Sequence, residues 1–232
     1  MVEIYKYKHI IWDWNGTIFN DVEYSRRIIN RILKDRNTPE ITIEKYRSVF
    51  TYPLKKYYEK LKLDISDNKW KLIDEEFTKT YEERKLFCEL YFRAREVLNI
   101  ISQIGKTQFL ISTVSQTTLE KMVIHFHLTE YFEEIYGIEN KNYIECKLAN
   151  ANKLLCDLNC KKGEVLYIGD TLHDWEVACK LGVDLLLIAD GHQNIHLLQQ
   201  TGSKVINSLD QFYHYLILYQ NLINKYENPY EK

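Results

Sequence analysis

Residues 9–19 read HIIWDWNGTIF: a short apolar run that stops on an acid and passes directly into a turn containing Gly16. A β-favouring run closed by turn residues is a buried strand, here residues 9–12, delivering Asp13 at its carboxyl end. In open α/β sheets ligands gather outside those ends, so Asp13 marks where a site is to be sought.

The same pattern returns at residues 108–111, 134–136, 165–168, 185–188 and 204–206, with longer stretches of helical periodicity between the runs. Such alternation predicts an α/β fold, a parallel sheet joined by right-handed helical crossovers. Residues 20–91 break the alternation. They contain no convincing strand and read as helices over 22–35, 43–50, 54–61 and 68–87, punctuated by Pro39 and Pro53. The expected organisation is a core of residues 1–19 and 92–232 with an inserted all-helical domain over 20–91. A closing helix over 209–224, with Ser208 as N-cap and a stripe of Tyr213, Tyr215 and Tyr219, precedes a polar tail at 228–232.

At 232 residues, 45% hydrophobic and 28% charged, with 8 Gly and 3 Pro, the chain has the composition of an ordered globular protein. Its 31 basic and 33 acidic residues are dispersed and leave a net charge of -2, which creates no field to recruit nucleic acid or an anionic membrane. No apolar run approaches the roughly 20 residues of a membrane span, and the N-terminus shows no cleavage-site pattern, so a cytoplasmic protein is expected. The five cysteines form no C-x-x-C pair, which points to free thiols rather than a disulfide framework or a zinc site. The size suits a monomer or weak homodimer, and the default partner is a small molecule.

The polar residues that follow the apolar runs form a short, coherent set. Ser112 and Thr113 follow the second core strand, Gly169, Asp170 and Asp174 follow the fourth, and Lys147 lies at the opening of the helix before it. Taken singly each is ordinary turn, cap or surface chemistry. Together, a carboxylate, a hydroxyl, an ammonium and an acidic pair fit phosphoryl transfer, where catalysis is largely positioning and charge neutralisation. Asp13 can attack phosphorus in line, Asp170 can complete hard oxygen ligation of Mg2+, and Lys147 and Ser112 can hold phosphate oxygens.

The segments IIWDWNGTIF, FLIST, CKLANANKLL and VLYIGDTLHD stand in the order of the four motifs of the haloacid dehalogenase superfamily, and the sequence resembles its phosphoglycolate phosphatase-like branch. The resemblance implies a Rossmann-like core with a helical cap inserted between the first two motifs. It implies a magnesium-dependent phosphatase acting on a small phosphorylated metabolite through an aspartyl-phosphate. In that reading Asp13 is the nucleophile, Ser112 the second-motif hydroxyl, Lys147 the third-motif lysine, and Asp170 a Mg2+ ligand assisted by Asp174. The backbone carbonyl of Asn15 is a further ligand. Gly16, Thr17 and Thr113, with Arg47, Tyr52 and Lys55 around the Pro53 turn, are candidates for substrate contact.

One position departs from the pattern. Two residues after the nucleophile the phosphatases carry an Asp that acts as general acid and base, and here the residue is Asn15. An amide carries no proton to give at neutral pH, and a positioned acid or base contributes about 100-fold to 10,000-fold in rate. Three readings stay open: a phosphatase in which His173 or a cap side chain serves the proton, an enzyme for substrates with good leaving groups such as acyl phosphates, or a catalytically weak binder of phospho-ligands. A phosphonate hydrolase using Lys55, Lys56 or Lys60 is a further alternative. His192 and His196, in DGHQNIH, are expected on a loop bordering the site.

Overall fold

The structure, a computed structural model, describes residues 3–138 and 143–227. In chain order its elements are β1 (His9–Trp12), β2 (Phe19–Asn20), α1 (Val22–Lys34), α2 (Ile43–Val49), α3 (Leu54–Lys60), α4 (Lys69–Arg84), β3 (Glu89–Leu90), α5 (Ala94–Gln103), β4 (Thr107–Ser115), α6 (Gln116–His125), β5 (Glu134–Ile138), α7 (Tyr143–Leu158), β6 (Val165–Gly169), α8 (Leu172–Leu181), β7 (Asp184–Ile188), α9 (Ile195–Gln199), β8 (Lys204–Ile206) and α10 (Leu209–Glu227). Six strands form one parallel sheet in the order β5-β4-β1-β6-β7-β8. The chain moves from β1 to β4 and β5 on one side, then returns past β1 to β6, β7 and β8 on the other. The reversal leaves a crevice at the carboxyl end of β1, where α/β sheets hold their ligands.

The central strand pairs on both edges, His9 to Trp12 lying against Thr107 to Leu110 and against Val165 to Ile168. Its Ile10, Ile11 and Trp12 are fully buried, as a strand covered on both faces requires. Alternate side chains build the two layers. Ile10, Trp12, Leu110, Leu166 and Ile168 share a cluster with residues of α5, α6 and α10, whereas Ile11, Phe109, Ile111, Val165 and Tyr167 share another with residues of α7 and α8.

Between β2 and β3 the helices α1 to α4 enclose a third cluster, made by Ile28, Ile29, Ile32 and Leu33 of α1 with Tyr46, Tyr57, Tyr58 and Ile73. The spacing of those α1 residues places them on one helical stripe. The two-residue strands β2 and β3 pair antiparallel, Phe19 with Leu90 and Asn20 with Glu89, tying together the two chain crossings. Two residues are too short to show a strand period, so sequence reading misses this ladder.

Other boundaries shift. β4 continues to Ser115, with its register against β5 slipping between Ile111 and Ser115, so Ser112 and Thr113 lie within the strand. The helix expected over 68–87 is α4 followed by a tight turn at Lys85–Phe87. Tyr213, Tyr215 and Tyr219 pack against the core cluster. The tail at 228–232 lies outside the described residues, and among the described helices none is long and apolar enough to cross a membrane.

Candidate active site

Asp13 extends the β1 ladder by one residue, its N–H donating to the carbonyl of Ile168 at 2.9 Å. The turn that follows needs Gly16, which sits at φ +75° and would place a Cβ only 2.2 Å from Oδ2 of Asp170. Gly191 approaches the same oxygen equally closely, and the N–H of His192 donates to it at 2.6 Å. Asp170 is thus gripped between two backbone segments. Thr17 Oγ1 lies 3.3 Å from both Asp13 Oδ2 and Asp170 Oδ1.

From α7, Lys147 Nζ donates to Asp13 Oδ1 at 2.5 Å and to Asp174 Oδ1 at 2.7 Å. The second oxygen of Asp174 accepts from the Thr171 N–H at 3.0 Å and hydroxyl at 2.7 Å, the capping box that starts α8. Asp174 therefore links the helix start to the ammonium. All four charged groups are buried. Burial pushes the Asp13 carboxyl up to about 6 against the pull of Lys147, and pushes Asp170 well above the usual carboxylate range. On Asp174 burial is outweighed by Lys147 and the Thr171 donors, so its pKa is lowered.

Carboxylate oxygens of Asp13, Asp170 and Asp174 come within 4.8 Å of one another. Three buried carboxylates against one ammonium leave negative charge uncompensated. A set of hard oxygen donors with surplus negative charge fits a divalent cation of the Mg2+ type.

Because Lys147 is the cation shared by two of these acids, Lys147→Met is expected to destabilise the protein by about 3–5 kcal/mol at neutral pH. Without the ammonium the folded-state pKa of Asp13, already raised to about 6, climbs further, and that of Asp174 loses the partner that lowers it. The variant should therefore regain stability as pH falls, and melting temperatures compared with wild type near pH 8 and near pH 5 would show the gap narrowing. A gap that stays constant, or widens on acidification, contradicts this electrostatic account.

Asn15 occupies a different part of the network. Its Nδ2 donates to Asp21 Oδ2 at 2.9 Å and to the Tyr81 hydroxyl at 2.7 Å, while Tyr81 donates to the same Asp21 oxygen at 2.8 Å. His192 completes the ring, with Nε2 3.2 Å from Asp21 Oδ1 and Nδ1 2.8 Å from the Tyr46 hydroxyl. Burial alone would raise the Asp21 pKa, but His192, Tyr81 and Asn15 hold it below the usual value. For His192 burial works against the charged form and Asp21 prevails, so its pKa is raised. Sequence reading missed Asp21, Tyr46 and Tyr81, because each has an ordinary local role at a helix start or on an apolar stripe.

Not every expected contact faces the cavity. Phe50, Tyr52, Thr113 and His173 join the acidic cluster around it, but Gly16, Thr17, Arg47, Lys55 and Ser112 do not. Arg47 is turned to the loop after β7, its Nε donating to the Gly191 carbonyl at 2.9 Å and Nη2 to the Asp190 carbonyl at 2.6 Å. Lys55 is exposed on α3. Ser112 Oγ accepts the Val114 N–H at 3.1 Å. His173 packs tilted against Tyr52 with ring centroids 5.1 Å apart, both its ring nitrogens lack a partner, and burial lowers its pKa to about 4. A neutral imidazole is a poor choice for the leaving-group acid that the sequence suggested. The cavity encloses about 20 Å³, room for roughly one water, so the helical segment is closed down on the site.

Fold and site together define an α/β enzyme core with its acidic centre at the carboxyl edge of a parallel sheet. The haloacid dehalogenase-like hydrolase family matches residues 10–188, and the chain belongs to that family. Among solved structures it is similar to a predicted phosphoglycolate phosphatase from Haemophilus somnus 129PT (18% identity, TM-score 0.69, covering 88% of this chain and 95% of that one). It is also similar to a predicted phosphatase from Clostridium acetobutylicum (18%, 0.75, 91% and 98%) and to Protein Tyrosine Kinase A from Mycobacterium tuberculosis (16%, 0.74, 90% and 97%). At such identities these likenesses speak for the shared fold. No curated protein matches the chain.

Proposed function

We propose that the chain is a magnesium-dependent phosphatase that hydrolyses a small phosphoric monoester through an aspartyl-phosphate on Asp13. The observation that carries this reading is the buried Asp13 carboxylate, 2.5 Å from Lys147 and grouped with Asp170 at the carboxyl end of the central strand. The similar structures named as phosphatases are in keeping with it. In the first half-reaction a carboxylate oxygen of Asp13 bonds to phosphorus as the ester bond breaks, and in the second water takes the phosphoryl group from Asp13. Mg2+, held by Asp13, Asp170 and the Asn15 carbonyl with Asp174 assisting, supplies neutralisation of phosphate charge. Lys147 adds its own charge beside the nucleophile and keeps Asp13 ionised. Thr113, which lines the cavity, is assigned to the phosphate oxygens, and Thr17, 3.3 Å from Asp13 Oδ2, supports the nucleophile from behind; Ser112 and Gly16 stand off the cavity and act on the backbone around it.

Residues 20–91 act as the cap on a core of residues 1–19 and 92–232. With Arg47 bound to the loop after β7 and Lys55 exposed, Tyr52 and Phe50 are the cap groups that meet substrate. Lys55, Lys56 and Lys60 are all exposed and off the cavity, so imine chemistry of the phosphonate-hydrolase kind has no candidate lysine there.

The test is hydrolysis of 4-nitrophenyl phosphate by purified protein with Mg2+. Turnover should vanish on chelation with EDTA and return with added Mg2+; equal rates with and without the metal, or no turnover at all, would count against the proposal.

A further inference from the structure

We propose that the natural substrate is an aryl phosphate without an anionic substituent, whose leaving group departs as the phenolate rather than being protonated by the enzyme. This deepens the phosphatase reading and rests on it. Two independent features of the cavity lead there.

The first is the state of Asn15, which lines the cavity where the family pattern has its acid. Its amide is a donor to Asp21 and Tyr81, and the nearby His192 ring is occupied at both nitrogens by Asp21 and Tyr46. No proton on these groups is free to follow the departing oxygen. The step balances without one: an Asp13 oxygen forms the new P–O bond, the P–O bond to the aryl group breaks, and the leaving oxygen keeps the electron pair. The phenolate takes its proton from solvent after release. Water then adds to phosphorus, the bond to Asp13 breaks, and the proton of water passes to the released phosphate. Such a sequence is fast only for leaving groups of low basicity.

The second feature is the aromatic part of the cavity lining. Phe50 and the His192 ring stack at 4.8 Å, Tyr52 and His173 lie at 5.1 Å, and Phe50 meets Tyr52 edge-on at 5.6 Å. These rings, packed on one another, give the cavity an aromatic lining suited to an apolar group. They offer no unpaired cation to a carboxylate, the His192 ring being held by Asp21 at 3.2 Å. Lys147 is already shared by Asp13 and Asp174, Arg47 is bound to Gly191 and Asp190, and Lys55 is exposed. An acidic leaving group such as glycolate would bring a charge into this lining with nothing to receive it.

The experiment compares kcat/KM of the Mg2+-loaded enzyme across substituted phenyl phosphates, 4-carboxyphenyl phosphate, 2-hydroxyethyl phosphate and 2-phosphoglycolate. The expected result is a steep fall with leaving-group basicity, with 4-nitrophenyl phosphate exceeding 2-phosphoglycolate by about 100-fold or more. Phenyl phosphate should exceed its 4-carboxy analogue, and Tyr52→Arg should shift that ratio toward the carboxylate by about tenfold. Comparable turnover of 2-phosphoglycolate and the aryl esters, or no dependence on leaving group, overturns the inference while leaving the phosphatase reading intact. No hydrolysis of any ester overturns both.

Discussion

Asp13→Asn should reduce phosphate-ester turnover by about 10,000-fold or more while leaving the protein folded. The substitution keeps the shape of the side chain and removes the nucleophilic oxygen, so no covalent phosphoenzyme can form. Stability should hold, or rise slightly, for a reason visible in the contacts. Lys147 retains Asp174 at 2.7 Å, and the crowd of buried carboxylates loses one like charge. The Asn carbonyl can still accept from Lys147, where Asp13 Oδ1 now stands at 2.5 Å. Hydrolysis of 4-nitrophenyl phosphate and thermal melting, measured on the same preparation, test both halves. A variant that melts like wild type yet keeps more than about a tenth of its rate would remove Asp13 from the nucleophile's role.

How far the chain could be read without its structure follows from which features are local. The strands were legible because the central ones are buried on both faces and so are short apolar runs, and residues just past such runs must meet at one edge of the sheet. That is why Asp13, Asp170 and Asp174 could be grouped in advance, and why Lys147, on the helix before β6, could be added. The network around Asn15 was not legible. It joins Asp21, Tyr46, Tyr81 and His192, the last 171 positions from Asp21, and no periodicity marks any of them. Arg47 was misplaced for the same reason, since only the fold shows the carbonyls of Asp190 and Gly191 waiting for its guanidinium. Tyr52 reached the cavity as expected, but with Phe50 beside it rather than a cation.

The same network determines what Asn15→Asp should do. The amide of Asn15 now donates a hydrogen bond to Asp21 Oδ2 at 2.9 Å, so a carboxyl in its place would face a second buried carboxyl across hydrogen-bond distance. Two such groups cannot both ionise, and one proton is retained between them at neutral pH. That proton lies at the cavity wall, where the leaving oxygen needs it. Turnover of a poor leaving group, such as 2-hydroxyethyl phosphate, should therefore rise by about 100-fold to 10,000-fold, with 4-nitrophenyl phosphate changing little. The dependence on leaving-group basicity should flatten accordingly. Stability carries the opposite mark. The pair's folded-state pKa stands above the unfolded value, so the pair's contribution to stability is fully present at low pH and is lost as pH rises through the raised pKa. Gain in alkyl ester hydrolysis and melting temperature should fall together on alkalinisation, because both depend on the same proton. A folded variant with unchanged discrimination between alkyl and aryl esters would show that the absent acid is not what limits this site, and that proton transfer reaches the leaving group by a route outside the Asn15 network.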